Sequence, residues 1–288
     1  MAPPPPAQGA TTQERLLQLA SSLQFAWFAG HVTLLLTTLR FVLSYITFNS
    51  MSRWSRFSYR TAFIAATTTY GIVVYKSTKA RLRAGRGMGG PLAIIGDENV
   101  QYLLMALVWL ISYQVPLAIF PFAVYSVFHV ATYTRSNLLP ALYPAPAPAG
   151  PTPTSPGGKP KSNSALADTI GRFVKDHYDS SMTLVAILEI ALWFRLLGPA
   201  LLFRKGTWLL LGAYTVFLRA RYAQSTFVQG AIGQVGARID AQTNRQDMPP
   251  AVRQGWETVK GLLHQGVQAT DISRYLGGQQ QPQAKKAQ

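Results

Sequence analysis

Cysteine is absent from the chain, which excludes disulfides, thiolate metal sites and a cysteine nucleophile. Charge is sparse as well. Asp, Glu, Lys and Arg make up 13% of the 288 residues, about half of what a soluble globular protein carries. Acids are the scarcest, 11 against 27 Lys and Arg. The four histidines, His31, His129, His177 and His264, form no H-E-x-x-H and no i, i+4 pair, so they suggest no metal centre. Gly85–Gly90 lacks the G-K-[ST] ending of a phosphate loop. The one adjacent carboxylate pair, Asp97-Glu98, precedes an apolar run, where acids suit a helix N-terminus. No catalytic residue, metal or cofactor is expected.

What the chain does have is apolar residues gathered into long runs. The stretch from Leu23 to Phe48 exceeds the roughly 20 residues needed to cross a bilayer core. Its start lacks the basic n-region of a secretory signal, so it is expected to stay as an anchor. His31 and Arg40 interrupt it and are expected to face other helices or snorkel. A basic-aromatic segment follows (Arg53, Trp54, Arg56, Phe57, Tyr59, Arg60), a composition suited to the headgroup layer. Phe57 to Tyr75 reads as a second apolar helix. In the block 100–134, Pro116 and Pro121 imply one kinked helix or two short ones in a shallow hairpin, and the hairpin is preferred. Met182 to Phe203 and Trp208 to Tyr222, joined by Arg204-Lys205-Gly206, read as a further hairpin.

The expected fold is therefore all-α, a polytopic membrane protein of helical hairpins with C-terminal amphipathic helices. Residues 1–13 read as a disordered Pro-rich N-terminus, 14–135 as a membrane region and 136–164 as a Pro-rich flexible linker. Residues 165–222 read as a membrane hairpin, 223–276 as amphipathic membrane-surface helices and 277–288 as a disordered tail.

The net charge of +16 calls for an anionic partner. The basic residues flank apolar segments, which favours anionic lipid headgroups over direct contact with nucleic acid. The densest group is Lys76, Lys79, Arg81, Arg83 and Arg86, with no acid among them. The positive-inside rule places it in the cytosol. With each apolar pair a hairpin, both termini and the proline linker share that side.

Beyond Tyr222 the apolar residues become periodic. Phe227, Ile232, Val235 and Ile239 lie on one helix face. After Pro249-Pro250 a second stripe follows: Val252, Trp256, Val259, Leu263 and Val267, with Arg253 and Lys260 off it. Such stripes either pack on the protein's own helices or lie in the bilayer interface with the apolar face down. Both readings stand at this point.

One segment resembles a known family. Asp97-Glu98, Tyr102, Ile119-Phe120-Pro121 and His129-Val130-Ala131-Thr132-Tyr133-Thr134-Arg135 are similar to the central region of the transmembrane protein 33 family, in its fungal pore-membrane nucleoporin branch. Leu218-Arg219-Ala220-Arg221-Tyr222 is similar to that family's basic-Tyr stretch after the last apolar helix. The resemblance implies a non-enzymatic protein of the endoplasmic reticulum and nuclear envelope membranes. It also implies membrane shaping or support of nuclear pore complex assembly and distribution, with reticulon-type proteins and nucleoporins as partners. Tyr102, Phe120, Pro121, His129, Thr132 and Tyr133 are the motif positions. The competing class is a membrane channel, transporter or lipid-handling enzyme, which would gather Arg40, His129, Glu189 and Arg195 around a cavity.

Overall fold

A computed structural model gives the fold for residues 11–85, 87, 90–143 and 165–270, the side chains of Pro91 and Leu92 excepted. The N-terminal proline run, Arg86, the Pro-rich stretch 144–164 and the tail from 271 onward lie outside the described residues. Among the described residues all regular secondary structure is helical. The chain is an all-α polytopic membrane protein. Among the described residues, three segments are long and apolar enough to cross a bilayer, Leu23–Ile46, Pro116–Leu142 and Ala165–Leu201.

Helices begin where the sequence supplies caps. α1 (Thr12–Ala20) starts with a reciprocal capping box between Thr11 and Glu14. α2 (Leu23–Ile46) starts at Ser22, whose hydroxyl accepts from the Phe25 amide at 3.1 Å. α3 runs from Arg53 to Arg83, about 46 Å at 1.5 Å per residue. The basic-aromatic segment and the basic cluster are therefore the two ends of one helix, with Phe57–Tyr75 its middle. Lys and Arg are good helix formers, no proline falls within Arg53–Arg83, and the single glycine there, Gly71, is carried in the helix interior. α4 (Pro91–Ile95) and α5 (Glu98–Ile111) follow.

The 100–134 block is two helices. α5 stops before Ser112, and a 3-10 turn at Pro116–Ala118 leads into α6 (Ile119–Tyr133). The break falls ahead of Pro116, whose ring starts the new turn, while Pro121 sits in the first turn of α6, where a missing N–H costs little. A π-turn at Thr134–Leu138 and α7 (Leu139–Leu142) keep the chain helical past Pro140. α8 (Ala165–Leu201), α9 (Thr207–Gln224), α10 (Thr226–Thr243) and α11 (Pro250–Ala269) complete the order. Pro199 lies in the last turn of α8, which ends two residues later.

The chain divides into two compact units. The first holds Met1–Lys79 and Tyr102–Glu189. In it α2 packs along α6, and Tyr59, Phe63, Tyr70, Tyr102 and Phe122 form a connected aromatic core with ring centroids 4.8–5.9 Å apart. Gly30 lets α2 approach α3: a Cβ there would stand 2.5 Å from Thr69 Cγ2. Small residues permit such approach between membrane helices. Two residues of the basic-aromatic segment turn inward. Arg60 donates to the carbonyls of Trp109 (3.2 Å), Leu110 and Ser112 (2.8 Å), capping the C-terminus of α5. The Tyr59 hydroxyl takes the Val115 amide at 3.2 Å. Arg53, Trp54, Arg56 and Phe57 stay exposed. The second unit, Ala80–Gln101 with Ile190–Gln288, has α10 packed on α9 and α11 on α10.

Candidate functional site

Both halves of the tail stripe lie in the second unit. Ser225 caps α10, and Val228 and Ala231 are buried. Phe227 and Ile239 are half-buried, while Ile232 and Val235 are exposed at its edge. α11 opens with Pro250 at its first position, where the absent N–H is no loss. None of its residues is fully buried.

The α11 stripe is split lengthwise. Its inner edge, Trp256, Lys260 and Val267, is half-buried. Asp240 of α10 accepts from Trp256 Nε1 at 2.6 Å and from Lys260 Nζ at 2.9 Å. Lys260 also pairs with Glu257 at 2.7 Å. Arg219 of α9 donates to the Val267 carbonyl (3.0 Å), the Thr270 carbonyl (3.2 Å) and the Thr270 hydroxyl (2.7 Å), closing the helix C-terminus. The outer edge, Val252, Val259 and Leu263, is exposed and is widened by Leu262 at 62% exposure. Arg253 is also exposed. So the helix packs on one edge and offers the other.

Hydrogen bonds from Lys260 and then Trp256 hold the Asp240 carboxyl below the usual carboxylate range. Glu257, and Asp240 after it, raise the Lys260 ammonium above its ordinary value. The reading of the sequence passed over Asp240, Arg219 and Leu262 as tail residues. Leu262 stands three residues after Val259, a helical spacing that could have revealed it. Asp240 had no such signal, since its partners come from the next helix.

The basic cluster rides on the last turns of α3, where cations complement the helix C-terminus. Lys79 lies over the Tyr75 ring at 5.3 Å and Arg81 pairs with Asp97 at 3.5 Å. Lys76 is half-buried and Arg83 exposed, while Arg86 falls outside the described residues.

The motif residues lie in the first unit. The Tyr102 hydroxyl donates to Glu189 at 2.5 Å. His129 meets Trp27 and His31 at ring centroids 4.9 and 4.6 Å apart, and His31 Nδ1 lies 2.9 Å from Ser126 Oγ. Tyr133 is buried and stacks on Phe28 at 4.5 Å. Pro121 is buried, Phe120 half-buried and Thr132 exposed. Beside this cluster is a groove of about 340 Å³ lined by Trp27, Tyr125, His129, Thr132 and Tyr178 among others. Of the four residues that a transport pathway would gather, His129 lines this groove. Glu189 is buried, Arg40 is exposed over Trp54, and Arg195 is exposed on α8. No cluster of three or more metal-ligating side chains occurs among the described residues.

The chain is similar to known membrane proteins over most of its length. The family model described as Transmembrane protein 33/Nucleoporin POM33 matches residues 6–267. Nucleoporin POM33 of Chaetomium thermophilum is 49% identical over 279 residues, covering 96% of this chain and 97% of the relative. Tetra-spanning protein 1 of Schizosaccharomyces pombe is 33% identical, covering 86% and 85%. The Saccharomyces cerevisiae pore membrane protein of 33 kDa is 27% identical, covering 90% and 88%. No solved structure matches.

Proposed function

The chain belongs to the transmembrane protein 33/nucleoporin POM33 family, and from that premise we propose that it is a non-enzymatic protein of the endoplasmic reticulum and nuclear envelope membranes. It shapes membrane, or supports nuclear pore complex assembly and distribution, through its hairpins and an amphipathic tail that prefers curved membrane. The names of the relatives, a nucleoporin and a pore membrane protein, support the location and nucleoporin partners. Reticulon-type partners fit a membrane-shaping role.

The observation that carries the reading is the outer edge of α11. Val252, Val259, Leu262 and Leu263 form a continuous exposed apolar strip on a helix whose other edge is already tied down by Asp240 and Arg219. A strip of this kind beside a lysine suits shallow insertion among anionic headgroups. The cluster Lys76, Lys79, Arg81, Arg83 and Arg86 adds a second basic surface. The helix runs on to Leu142, seven residues into the expected linker 136–164; both termini and the linker beyond it then face the cytosol, with 14–142 and 165–222 embedded and 223–276 on the surface.

The test images the tagged full chain beside its Leu262→Asp/Leu263→Asp double variant. The wild type should mark the nuclear rim and reticulum, and the variant should keep the reticulum but lose rim enrichment. An unchanged rim signal would remove the tail from the proposal.

A further inference from the structure

The groove of the first unit differs chemically from every basic surface described above. Its walls are aromatic, formed by Trp27, Tyr125, Phe128, Tyr133 and Tyr178, and among the described residues its lining includes no Lys, Arg, Asp or Glu. In a chain of net charge +16, a site whose described lining holds no fixed cation is ill suited to a phosphate. Aromatic faces with polar edges suit a quaternary ammonium, which binds by cation–π attraction and needs no hydrogen-bond acceptor.

A buried acid also stands behind the groove wall. The Tyr102 hydroxyl donates to the buried Glu189 at 2.5 Å. The Tyr102 and Tyr125 hydroxyls lie 3.1 Å apart. The wall residue Tyr125 is thus joined through two hydroxyls to an acid behind it.

A third observation supplies the rest of the ligand. Gly171 of α8 leaves space that the Arg135 guanidinium fills: a Cβ there would lie 2.7 Å from Arg135 Cζ. Gly171 is one helical turn before Val174, which lines the groove. Arg135 is exposed, and it follows by two residues the lining residue Tyr133, within the π-turn that also brings Asn137 to the groove. The groove lies near the ends of spans Leu23–Ile46 and Pro116–Leu142, where Trp and Tyr mark the headgroup layer.

We propose that this groove binds the phosphocholine headgroup of a membrane phospholipid, with the trimethylammonium among Trp27, Tyr125 and Tyr178 and the phosphate at Arg135. The test is native mass spectrometry of the full chain, delipidated in maltoside micelles and offered equal phosphatidylcholine, phosphatidylglycerol and sterol. Phosphatidylcholine should be retained about tenfold over phosphatidylglycerol, the scale of a partly desolvated cation–π contact. Tetramethylammonium chloride should compete with it, and sodium chloride at the same ionic strength should not. Tyr178→Leu, at a half-exposed position, should lower retention several-fold with the melting temperature unchanged, and Gly171→Val should lower it by displacing Arg135. Preferential retention of sterol or phosphatidylglycerol, or unaltered retention in a folded Tyr178→Leu variant, would overturn the proposal.

Discussion

Arg221 on α9 donates to the carboxylate of Glu98 at the start of α5, joining the two sequence segments that resemble the family. The arginine side chain is 5% exposed and the carboxylate 49%, so the pair is asymmetric. The buried partner cannot recover water when the other is removed, whereas the exposed one can. Glu98→Ala should therefore destabilise the protein by about 2 kcal/mol, the worth of a hydrogen bond to a charged group. Discounting for the open carboxylate puts the value nearer the low end of that range. Thermal unfolding in micelles measures it. If Glu98→Ala and Arg221→Met prove additive in a double-mutant cycle, the pair carries no coupling.

Gly30 and Gly171 make a controlled contrast. A methyl at Gly30 meets Thr69 Cγ2 at 2.5 Å, and Thr69 is held in place by its hydroxyl bond to the Ala66 carbonyl at 2.9 Å. Gly30→Ala should cost about 1–3 kcal/mol as overpacking. Thr69→Ser deletes the offending methyl and keeps the hydroxyl, so it should recover most of the loss. At Gly171 the obstacle is the end of the flexible Arg135 side chain, and Gly171→Ala should be nearly neutral in stability. Melting temperatures of the three variants (Gly30→Ala, Gly30→Ala/Thr69→Ser and Gly171→Ala) check the set.

Much of the fold could be read from local pattern. The run from Leu23 marks α2 to within two residues, and the prolines of 100–134 correctly divide that block. The apolar spacing after Pro249-Pro250 finds α11. What escaped was long-range. Arg60 beside Tyr59 reads locally as headgroup chemistry, but its partners lie about fifty positions onward at the end of α5. Charges at both ends of α3 suggested loops around a short helix, because composition reports polarity and says nothing of where backbone bonds continue. Asp240 and Arg219 carry no periodic signal, so the division of the α11 stripe into a packed and an offered edge needed the structure.

The clasp of α11 has a sign in pH. Asp240 is held below its ordinary value by Lys260 and Trp256. A depressed carboxyl stabilises the folded state above its unfolded value of about 3.9, and that contribution is lost as pH falls through the lower folded value. Acidification below roughly pH 4 should therefore loosen α11 from α10. The indole N–H resonance of Trp256 reports it directly, because that proton bonds Asp240. Asp240→Asn should remove the acid-induced shift. A wild-type resonance constant down to acid denaturation would show that the clasp is held by packing alone.

Short connections close the α2–α3 and α8–α9 pairs. Phe48 and Phe203 each adopt a left-handed backbone, with φ of 56° and 50°, a conformation costing a bulky residue roughly 1–2 kcal/mol. Their side chains are 97% and 81% exposed, so little packing offsets that cost within the protein. Asn tolerates the same backbone more readily because its short polar side chain bonds locally. Phe48→Asn and Phe203→Asn should each raise stability by about 1 kcal/mol in mild micelles, read as a higher melting temperature. Phe203 faces Trp208 with ring centroids 6.2 Å apart, so its gain should be the smaller. The same substitutions in lipid vesicles should gain less than in micelles, since a Phe at a hairpin tip contributes apolar contact only where acyl chains surround it. Equal gains in both media would place these two side chains outside the bilayer.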